Sequence, residues 1–307
     1  MASPDNRLRP SSATRPAAVK DPGVREQDPA ATLAHADPAT TSRVVEVLRL
    51  RPAGLFTDID GTISAIAPTP SEAVVTNRAR EALRQLAGRL DIVGAVTGRS
   101  AEDGARLIGV PELIVVGNHG MEWLRGGNRW VHPAAEASKA ALAATLVEIG
   151  AAVSRAGLQE AVVLEDKRLT GSVHYRLSPD HLAARDAILS AAVEAAARHR
   201  LRVTEGRFVV ELRPDVVINK GTAIVELVRR HALNGVVYFG DDVTDVDAFV
   251  AMRELHDSGA VSALSVAILS PETHPSVLSM ADVTVPGVDA CVELLTVAAT
   301  ELADDRA

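Results

Sequence analysis

The sequence predicts an α/β fold, in which a Rossmann-like core with a parallel sheet is interrupted by an inserted α+β cap. The first observation is the alternation of short apolar runs and amphipathic stretches over residues 52–120. Repeated βα units of this kind form parallel sheets with right-handed crossovers. The second is a change of pattern over residues 121–213, where hairpin-like and strand-like runs flank two long helical stretches. The third is the return of βα alternation after residue 213.

Composition is ordinary for a globular enzyme and argues against several classes of partner. The 307 residues are 47% hydrophobic and 23% charged, with a net charge of −8. This charge and the lack of a basic cluster argue against a surface for nucleic acid or an anionic membrane. No run has the length of a membrane span, the N-terminus lacks the apolar core of a signal peptide, and the single Cys291 permits no intramolecular disulfide. We therefore expect a cytoplasmic protein, and the oligomeric state stays open.

The chain divides into a tail, a core and an insert. Residues 1–40 are rich in Pro, Ala, Ser, Asp and Arg without periodicity, which predicts a disordered tail. Docking to a partner or oligomerisation is an alternative role for this tail. Residues 41–120 and 214–307 are predicted to form the core, and residues 121–213 the cap.

Apolar runs and capping residues define the core elements. Buried strands are predicted at 53–56, 91–96, 113–116, 236–239, 263–268 and 283–285. Helices are predicted at 40–50, 78–87, 100–108 and 219–231, with one more after residue 245 and one at the C-terminal end. Ser100 with Asp103 resembles a capping box, and Asn219 is a favourable N-cap.

The insert contains a hairpin, two helices and four strand-like runs. Gly126-Gly127-Asn128 predicts the turn of a hairpin over 124–131. Helices are predicted at 135–156 and 178–199, and the second has a proline in its first turn. The strand-like runs lie at 161–165, 172–177, 201–205 and 208–212.

Two aspartates follow the first predicted strand directly. Asp58 stands at its end and Asp60 two positions later. In an open α/β sheet, ligands bind beyond the carboxyl ends of the strands. Two carboxylates this close repel each other unless a cation lies between them, which indicates a hard metal ion such as Mg²⁺. Gly61 permits a tight turn that directs amide N–H groups toward an anion. Together these features predict a phosphoryl-transfer site.

Further polar residues stand at strand ends and at one helix start: Thr97, Lys220, Asp241, Asp242 and Asp245. Each is weak evidence alone, because Asp-rich loops usually form turns and caps, and a lysine in a first helical turn is usually a solvated charge. Their joint occurrence in this order supports a single site. An EF-hand loop starting at Asp58 is excluded, because its sixth and twelfth positions hold Ile63 and Thr69 instead of Gly and Glu.

These motifs resemble those of the haloacid dehalogenase (HAD) superfamily of phosphotransferases and, more narrowly, trehalose-6-phosphate phosphatases. The resemblance covers about residues 50 to 300 and omits the tail. The matching stretches are Asp58-Ile59-Asp60-Gly61-Thr62-Ile63-Ser64, Thr97-Gly98-Arg99-Ser100, Gly117-Asn118-His119-Gly120-Met121-Glu122, Leu164-Glu165-Asp166-Lys167, His174-Tyr175-Arg176, Glu211-Leu212-Arg213-Pro214, Asn219-Lys220-Gly221 and the run from Gly240 to Phe249 that opens Gly-Asp-Asp.

The resemblance implies roles for the residues of the core. Asp58 would be the nucleophile that forms an aspartyl-phosphate, and Asp60 the general acid and then the general base. Thr97 and Lys220 would hold the transferring phosphoryl oxygens. Mg²⁺ would be held by Asp58, the backbone carbonyl of Asp60, and Asp241, with support from Asp242 and Asp245.

The resemblance also implies that the cap recognises the sugar. The candidate substrate-binding residues are Glu122, Glu165, Lys167, His174, Arg176 and Glu211, together with Gly98 and Arg99 beside Thr97. An alternative for His174-Tyr175-Arg176 is a cap strand with one exposed face. A structural role of His119 is as well supported as a substrate contact. Hinges near 117–120 and 213–219 would let the cap close over the core.

The sequence departs from the family pattern at three positions. Val246 replaces a usual acidic residue, Ala65 replaces a common proline, and Asn118 replaces a frequent serine. None of the three carries a catalytic role in the pattern. They therefore bear on specificity more than on the reaction.

The activity implied is Mg²⁺-dependent hydrolysis of trehalose 6-phosphate to trehalose and phosphate. Hydrolysis of another sugar phosphate, such as sucrose 6-phosphate or mannosylglycerate phosphate, is the first alternative. A catalytically silent HAD domain that binds a sugar phosphate is the second. The presence of Asp58, Asp60, Lys220 and Asp241 argues against the silent domain.

Overall fold

A computed structural model describes residues 35–304 of the chain. The predicted disordered tail therefore lies outside the described residues, apart from its last positions. There, helix α1 (Pro38–Leu48) begins at a proline, and the Asp37 side chain accepts a hydrogen bond from the amide of Ala39. None of the helices in the described range is long and apolar enough to cross a bilayer.

The elements of residues 35–304 alternate as predicted in the core and change pattern in the insert. After α1, the helices are α2 (Asn77–Ala87), α3 (Ala101–Ile108), α4 (Pro133–Ala137), α5 (Lys139–Arg155), α6 (His181–His199), α7 (Lys220–Arg230), α8 (Val243–Asp257), α9 (Pro275–Met280) and α10 (Val288–Asp304). The strands are β1 (Ala53–Thr57), β2 (Ile92–Val96), β3 (Ile114–Gly117), β4 (Glu122–Arg125), β5 (Asn128–Val131), β6 (Val163–Asp166), β7 (Gly171–His174), β8 (Leu201–Gly206), β9 (Val209–Pro214), β10 (Gly235–Gly240), β11 (Ser262–Ile268) and β12 (Val283–Val285).

The main sheet has the order β12-β11-β10-β1-β2-β3-β4-β5. The strands from β12 to β3 pair in parallel, and β4 and β5 add an antiparallel hairpin at one edge. Every residue of β1, β2 and β10 is buried, because helices cover both faces of the sheet. The predicted α/β class with a mostly parallel sheet is confirmed.

A second, four-stranded antiparallel sheet has the order β6-β7-β9-β8. Helices α5 and α6 pack together beside it and give it a separate apolar core, which includes Ile149, Val173, Ile188 and Val210. This sheet and its helices are built from the predicted cap segment.

The hairpin β4–β5 differs from the prediction, because the sequence placed it in the cap. It pairs instead with β3 through Val115 and Leu124, and the Trp123 side chain packs in the core beside the main sheet. The chain folds back on β3 directly after residues 118–120, so the edge of the core sheet is the nearest pairing partner. The finer division into core and cap stays a prediction.

Two helices of the insert also begin or break at unpredicted residues. The helix predicted from Ser178 begins at His181, because the Asp180 side chain accepts a hydrogen bond from the amide of Ala183 and caps it. The helix predicted over 135–156 is divided at Ser138 into α4 and α5. The predicted caps Ser100 and Asn219 are confirmed.

The strand order brings the predicted functional loops together. Strands β10, β1 and β2 are neighbours, and Asp241, Asp58 and Thr97 directly follow their carboxyl ends. Asn219 caps α7, so that Lys220 is the first residue of this helix. The loops therefore meet at one edge of the sheet, where α/β proteins place their ligand sites.

We predict opposite effects of alanine at two helical glycines. A Cβ on Gly221 would lie 2.3 Å from the backbone oxygen of Asp247, where α7 meets α8, whereas a Cβ on Gly150 in α5 would lie 3.5 Å from Leu164 Cδ2. Gly221→Ala should lower the free energy of unfolding by about 2–3 kcal/mol. The matched Gly150→Ala should raise it by roughly 0.5–1 kcal/mol. Urea denaturation measures both, and equal effects would contradict the close approach of the two helices.

Candidate active site

A cleft lies between the carboxyl edge of the main sheet and the second sheet. Its core side is lined by Asp58, Asp60, Thr97, Gly98, Arg99, His119, Lys220, Asp241 and Asp242. Its opposite side is lined by Glu165, Lys167, His174, Arg176, Arg207, Phe208 and Glu211. Most of the predicted site residues therefore meet in one place.

Lys220 lies between two buried carboxylates. Its Nζ is 2.7 Å from Asp245 Oδ1 and 3.1 Å from Asp58 Oδ1. The side chain is only 2% exposed. Burial alone would lower the pKa of Lys220, but the two carboxylates outweigh it and raise the pKa above its ordinary value. The lysine is therefore held as a charged ammonium group.

Asp58 and Asp241 form the acidic part of the site. Burial raises the pKa of Asp58 to about 7, since it outweighs the attraction of Lys220. Burial, followed by repulsion from Asp245 and Asp58, raises the pKa of Asp241 well above its ordinary value. One carboxylate oxygen from each of Asp58, Asp241 and Asp245 lies within 4.8 Å of the other two. Such desolvated, mutually repelling carboxylates fit a divalent cation.

Gly61 and Thr62 fix the position of Asp241. Gly61 has a φ of +88°, and a Cβ there would lie 2.0 Å from Asp241 Oδ2. Thr62 Oγ1 donates a hydrogen bond of 3.1 Å to Asp241 Oδ1. In the described part of the chain, the buried oxygen Asp58 Oδ1 accepts no hydrogen bond. Its neighbour is the ammonium of Lys220, which forms an ion pair with it at 3.1 Å. A cation would satisfy this oxygen.

Asp245 belongs to the acidic cluster, but its oxygens already have partners. Oδ1 accepts hydrogen bonds from Lys220 and from the hydroxyl of Tyr238 at 2.6 Å. Oδ2 accepts hydrogen bonds from the amides of Asp241 and Asp242, each at 3.0 Å. Asp242 in turn caps α8 through the amide of Val243. These contacts favour a supporting position for Asp245 over direct ligation.

Asp60 is paired with Arg99. The guanidinium donates to both carboxylate oxygens, with Nε 2.7 Å from Oδ2 and one terminal nitrogen 2.8 Å from Oδ1. It also donates to Asp103 at 2.7 Å and to the carbonyl of Pro70 at 2.9 Å. Burial opposes the charge of Arg99, but Asp60 and Asp103 raise its pKa. Arg99 thus holds Asp60 and also lines the cleft, and its predicted contact with substrate stays a prediction.

His119 packs against the loop that carries Thr97. A Cβ on Gly98 would lie 2.7 Å from the His119 ring, so the glycine makes room for it. His119 Nε2 lies 3.0 Å from an Arg213 nitrogen and 3.4 Å from Glu211 Oε1. Because arginine can only donate, Nε2 accepts. Burial, followed by repulsion from Arg213, lowers the pKa of His119 to about 4.

The opposite wall of the cleft is a network of charged side chains. Lys167 Nζ lies 3.8 Å from both Glu165 Oε2 and Glu211 Oε1. His174 Nε2 lies 3.0 Å from Glu165 Oε2. Burial would raise the pKa of Glu211, but His119 and Arg213 hold it well below its ordinary value. Arg176 lies over the ring of Phe208, 4.7 Å from its centre. These groups can bind the hydroxyls of a polar ligand.

The structure does not bring Glu122 to the cleft, although the sequence placed it among the substrate-binding residues. Its side chain is fully buried and accepts hydrogen bonds from the amide of Ala101 at 2.9 Å, from Asn118 Nδ2 at 2.7 Å and from Arg129. The reason is the pairing of β4 with β3, which turns Glu122 toward the start of α3.

Sequence reasoning did not select four residues that shape the site. Tyr238 donates a hydrogen bond to Asp245, Thr62 donates one to Asp241, and Arg213 donates one to His119. Arg207 lines the cleft and donates to Ser270 Oγ and to the carbonyl of Glu272, which joins the second sheet to the core. Arg213 lies in the stretch Glu211–Pro214 that matches the family pattern, so the sequence could have marked it as a site residue. Tyr238 lies inside an apolar strand, and nothing in the sequence marks it.

Comparison with known proteins gives concordant findings. The model of the trehalose-phosphatase family matches residues 56–284. The trehalose-phosphate phosphatase of Mycobacterium avium (strain 104) is 39% identical over 207 residues, which is 65% of this chain and 51% of that protein. The trehalose-phosphate phosphatase of Mycobacterium bovis (strain BCG / Pasteur 1173P2) is 35% identical over 239 residues, 72% of this chain and 59% of that protein. The chain thus spans little more than half the length of these relatives.

Solved structures show the same fold at lower sequence identity. The C-terminal domain of Candida albicans trehalose-6-phosphate phosphatase superposes with a TM-score of 0.71 at 19% identity, covering 88% of this chain and 99% of that one. A haloacid dehalogenase-like hydrolase from Bacteroides thetaiotaomicron superposes with a TM-score of 0.54 at 14% identity, covering 79% and 98%. The fold is therefore that of HAD-like hydrolases.

We predict that His119 makes the folded protein sensitive to acid. The unfolded chain takes up a proton near the ordinary pKa of 6.5, whereas the folded protein keeps the ring neutral down to about 4, so stability is lost as the pH falls through this window. His119→Asn suits the left-handed backbone at this position, where φ is +56°. Between about pH 7.5 and pH 5, wild type should lose about 2 kcal/mol more unfolding free energy than the variant. Urea denaturation at both pH values tests this, and equal losses would contradict it.

Proposed function

Because the chain belongs to the trehalose-phosphatase family of phosphoric monoester hydrolases, we propose that it hydrolyses trehalose 6-phosphate to trehalose and inorganic phosphate. The observation that carries the proposal is the meeting of Asp58, Lys220 and Asp241 in a cleft whose other wall is charged. Asp58, Lys220 and Asp241 supply a nucleophile, a positive charge and a candidate metal ligand for a phosphate ester. The charged side chains of the other wall can bind the hydroxyls of a sugar. A cytoplasmic location is part of the same proposal.

Asp58 is the proposed nucleophile. Its carboxylate oxygen attacks phosphorus, the bond between phosphorus and the sugar oxygen breaks, and an aspartyl-phosphate remains. Asp60 gives a proton to the departing sugar oxygen and then takes one from the water that attacks phosphorus. Phosphate is released and the carboxylate of Asp58 is restored. Arg99 orients Asp60 through its two hydrogen bonds.

Lys220 and Thr97 are proposed to hold the transferring phosphoryl group. The charge on its oxygens must be neutralised as the group passes from the sugar to Asp58. The ammonium of Lys220 lies 3.1 Å from the nucleophilic carboxylate, so it can meet a phosphoryl oxygen there. Asp245 keeps this ammonium in place at 2.7 Å.

Asp58, Asp241 and the backbone carbonyl of Asp60 would hold a divalent cation, which we propose to be Mg²⁺. Asp242 and Asp245 would support these ligands through the loop amides. When bound, the cation supplies positive charge that stabilises the phosphoryl oxygens. The fit rests on Asp58 Oδ1, a buried oxygen that accepts no hydrogen bond among the described residues beside its ion pair with Lys220, and on the raised pKa values of Asp58 and Asp241.

The second sheet is proposed to recognise the sugar. Glu165, Lys167 and Glu211 are the central contacts, because they line the cleft and face one another across about 4 Å. His174 and Arg176 extend this wall, and Gly98 acts through the room it leaves for His119. Movement at 117–120 and 213–219 would open and close the cleft and exclude water from the reacting atoms.

We predict selective turnover by the wild-type protein. Phosphate release should be measured with Mg²⁺ on trehalose 6-phosphate, sucrose 6-phosphate and mannosylglycerate phosphate. The kcat/KM for trehalose 6-phosphate should exceed the others by at least about tenfold, since a site built for particular hydroxyls rejects analogues that leave its polar groups unpaired. Asp58→Asn should abolish release from every substrate. Equal kcat/KM values would contradict the trehalose specificity, and no release from any substrate would favour a silent sugar-phosphate-binding domain.

We also predict that Mg²⁺ stabilises the folded protein through Asp241. A ligand present at about 100 times its Kd adds about 2.7 kcal/mol to the free energy of unfolding, which appears as a rise in Tm. Asp241→Asn should lose this rise. The control is Asp257→Asn, because Asp257 is an exposed aspartate at the end of α8, and it should keep the rise. An unchanged Mg²⁺ effect in Asp241→Asn would place the cation elsewhere.

A further inference from the structure

Asn118 joins two parts of the cleft that are far apart in the sequence. It is fully buried at the end of β3 and has a φ of +49°. Its backbone amide donates to the carbonyl of Arg99 at 2.7 Å, and the next amide, of His119, donates to the carbonyl of Thr97 at 2.9 Å. The backbone at this position is therefore fastened to the loop that carries the proposed phosphoryl contacts.

The side chain of Asn118 reaches the second sheet. Its Oδ1 accepts a hydrogen bond from Thr170 Oγ1, and its Nδ2 lies 3.4 Å from the carbonyl of Lys167. Nδ2 also donates to Glu122 Oε1 at 2.7 Å, and that carboxylate fixes the amide orientation. The amide of Lys167 donates to the carbonyl of Thr170 at 2.9 Å, which closes the turn. Thr170 is only 1% exposed, so water does not compete for these bonds.

We propose that Asn118 is a positioning residue that sets where Lys167 stands relative to the loop of Thr97 and Arg99. Lysine has a long, flexible side chain, so the place of its ammonium depends on how its backbone is held. A serine at this position would have a single hydroxyl donor and could not donate both to the Glu122 carboxylate and to the carbonyl of Lys167, as the two N–H groups of Asn118 Nδ2 do. The inference rests on the proposed role of Lys167 in binding the sugar.

A positioning role differs from a merely structural one in what it changes. If Asn118 only stabilised the fold, its loss would lower activity on all phosphate esters alike. If it places Lys167, the loss should weaken the binding of a sugar phosphate and leave p-nitrophenyl phosphate, which carries no sugar, almost unaffected. The KM and kcat of the two substrates therefore separate the two roles.

The test uses two variants at the two ends of the same bond. Thr170→Val removes the hydroxyl and keeps the shape, and Asn118→Gly removes the side chain and tolerates the left-handed backbone. Each should raise the KM for the preferred sugar phosphate about tenfold, the scale of one buried hydrogen bond, with kcat/KM for p-nitrophenyl phosphate within about twofold of wild type. Thr204→Val is the matched control, because Thr204 Oγ1 in the same sheet is buried without a hydrogen-bond partner among the described residues. It should leave the KM unchanged.

The double variant shows whether the two residues act together. Adding Thr170→Val to Asn118→Gly should raise the KM by less than about twofold more, since the bond is already lost. Additive effects, equal losses on both substrates, or a similar effect of Thr204→Val would each overturn the proposal.

Hydrogen exchange in the free protein separates this proposal from the proposed function. Amides over 166–171 should exchange faster in Thr170→Val and Asn118→Gly than in wild type or Thr204→Val. If trehalose 6-phosphate is not hydrolysed, the proposed function fails, and exchange still decides the role of Asn118. Unchanged exchange of the amides over 166–171 in both variants would overturn the positioning role of Asn118.

Discussion

The site depends on carboxylates held close together away from water. Asp58, Asp241 and Asp245 are nearly or fully buried, and the ammonium of Lys220 contacts two of them. Each carboxylate without compensation raises the free energy of the folded protein, because burial disfavours its charge. The protein therefore surrounds Asp245 with the Tyr238 hydroxyl and two amides, while Asp58 and Asp241 keep oxygen atoms for another cation. A bound cation would offset the repulsion that remains between Asp58 and Asp241.

Sheet topology is the second requirement, because the residues of the cluster are far apart in the sequence. Asp58 and Asp241 meet since β1 pairs in parallel with β10, with Phe56 opposite Tyr238. Lys220 joins them because Asn219 caps α7 at the same edge of the sheet. A slip of one residue in the β1–β10 register would turn Asp58 away from the cleft, since side chains alternate between the two faces. The apolar residues of the strands thus determine, through the strand register, where the charged residues at the strand ends lie.

The sequence predicted the core well because its signals are local. Apolar runs ending in Asp58, Thr97 and Asp241 marked three strands, and the side chains at their ends do line one cleft. Contacts made by distant segments could not be predicted in the same way. Glu122 lies in a matching motif, yet the pairing of β4 with β3 buries it against α3. The pairing of Arg99 with Asp60, 39 positions apart, likewise depends on the finished fold.

The two walls of the cleft are linked by buried polar contacts as well as by the chain. Asn118 connects the loop of Thr97 to the turn after Lys167, and His119 connects the same loop to Arg213 and Glu211. Both residues have positive φ values, a backbone conformation that the fold must maintain at some cost in free energy. Because Asn118 and His119 each contact both the loop of Thr97 and the second sheet, displacement of one wall must disturb the other. In the proposed reaction, binding energy from the sugar would in this way act on the position of the phosphate, as remote contacts do when they contribute to a reaction rate.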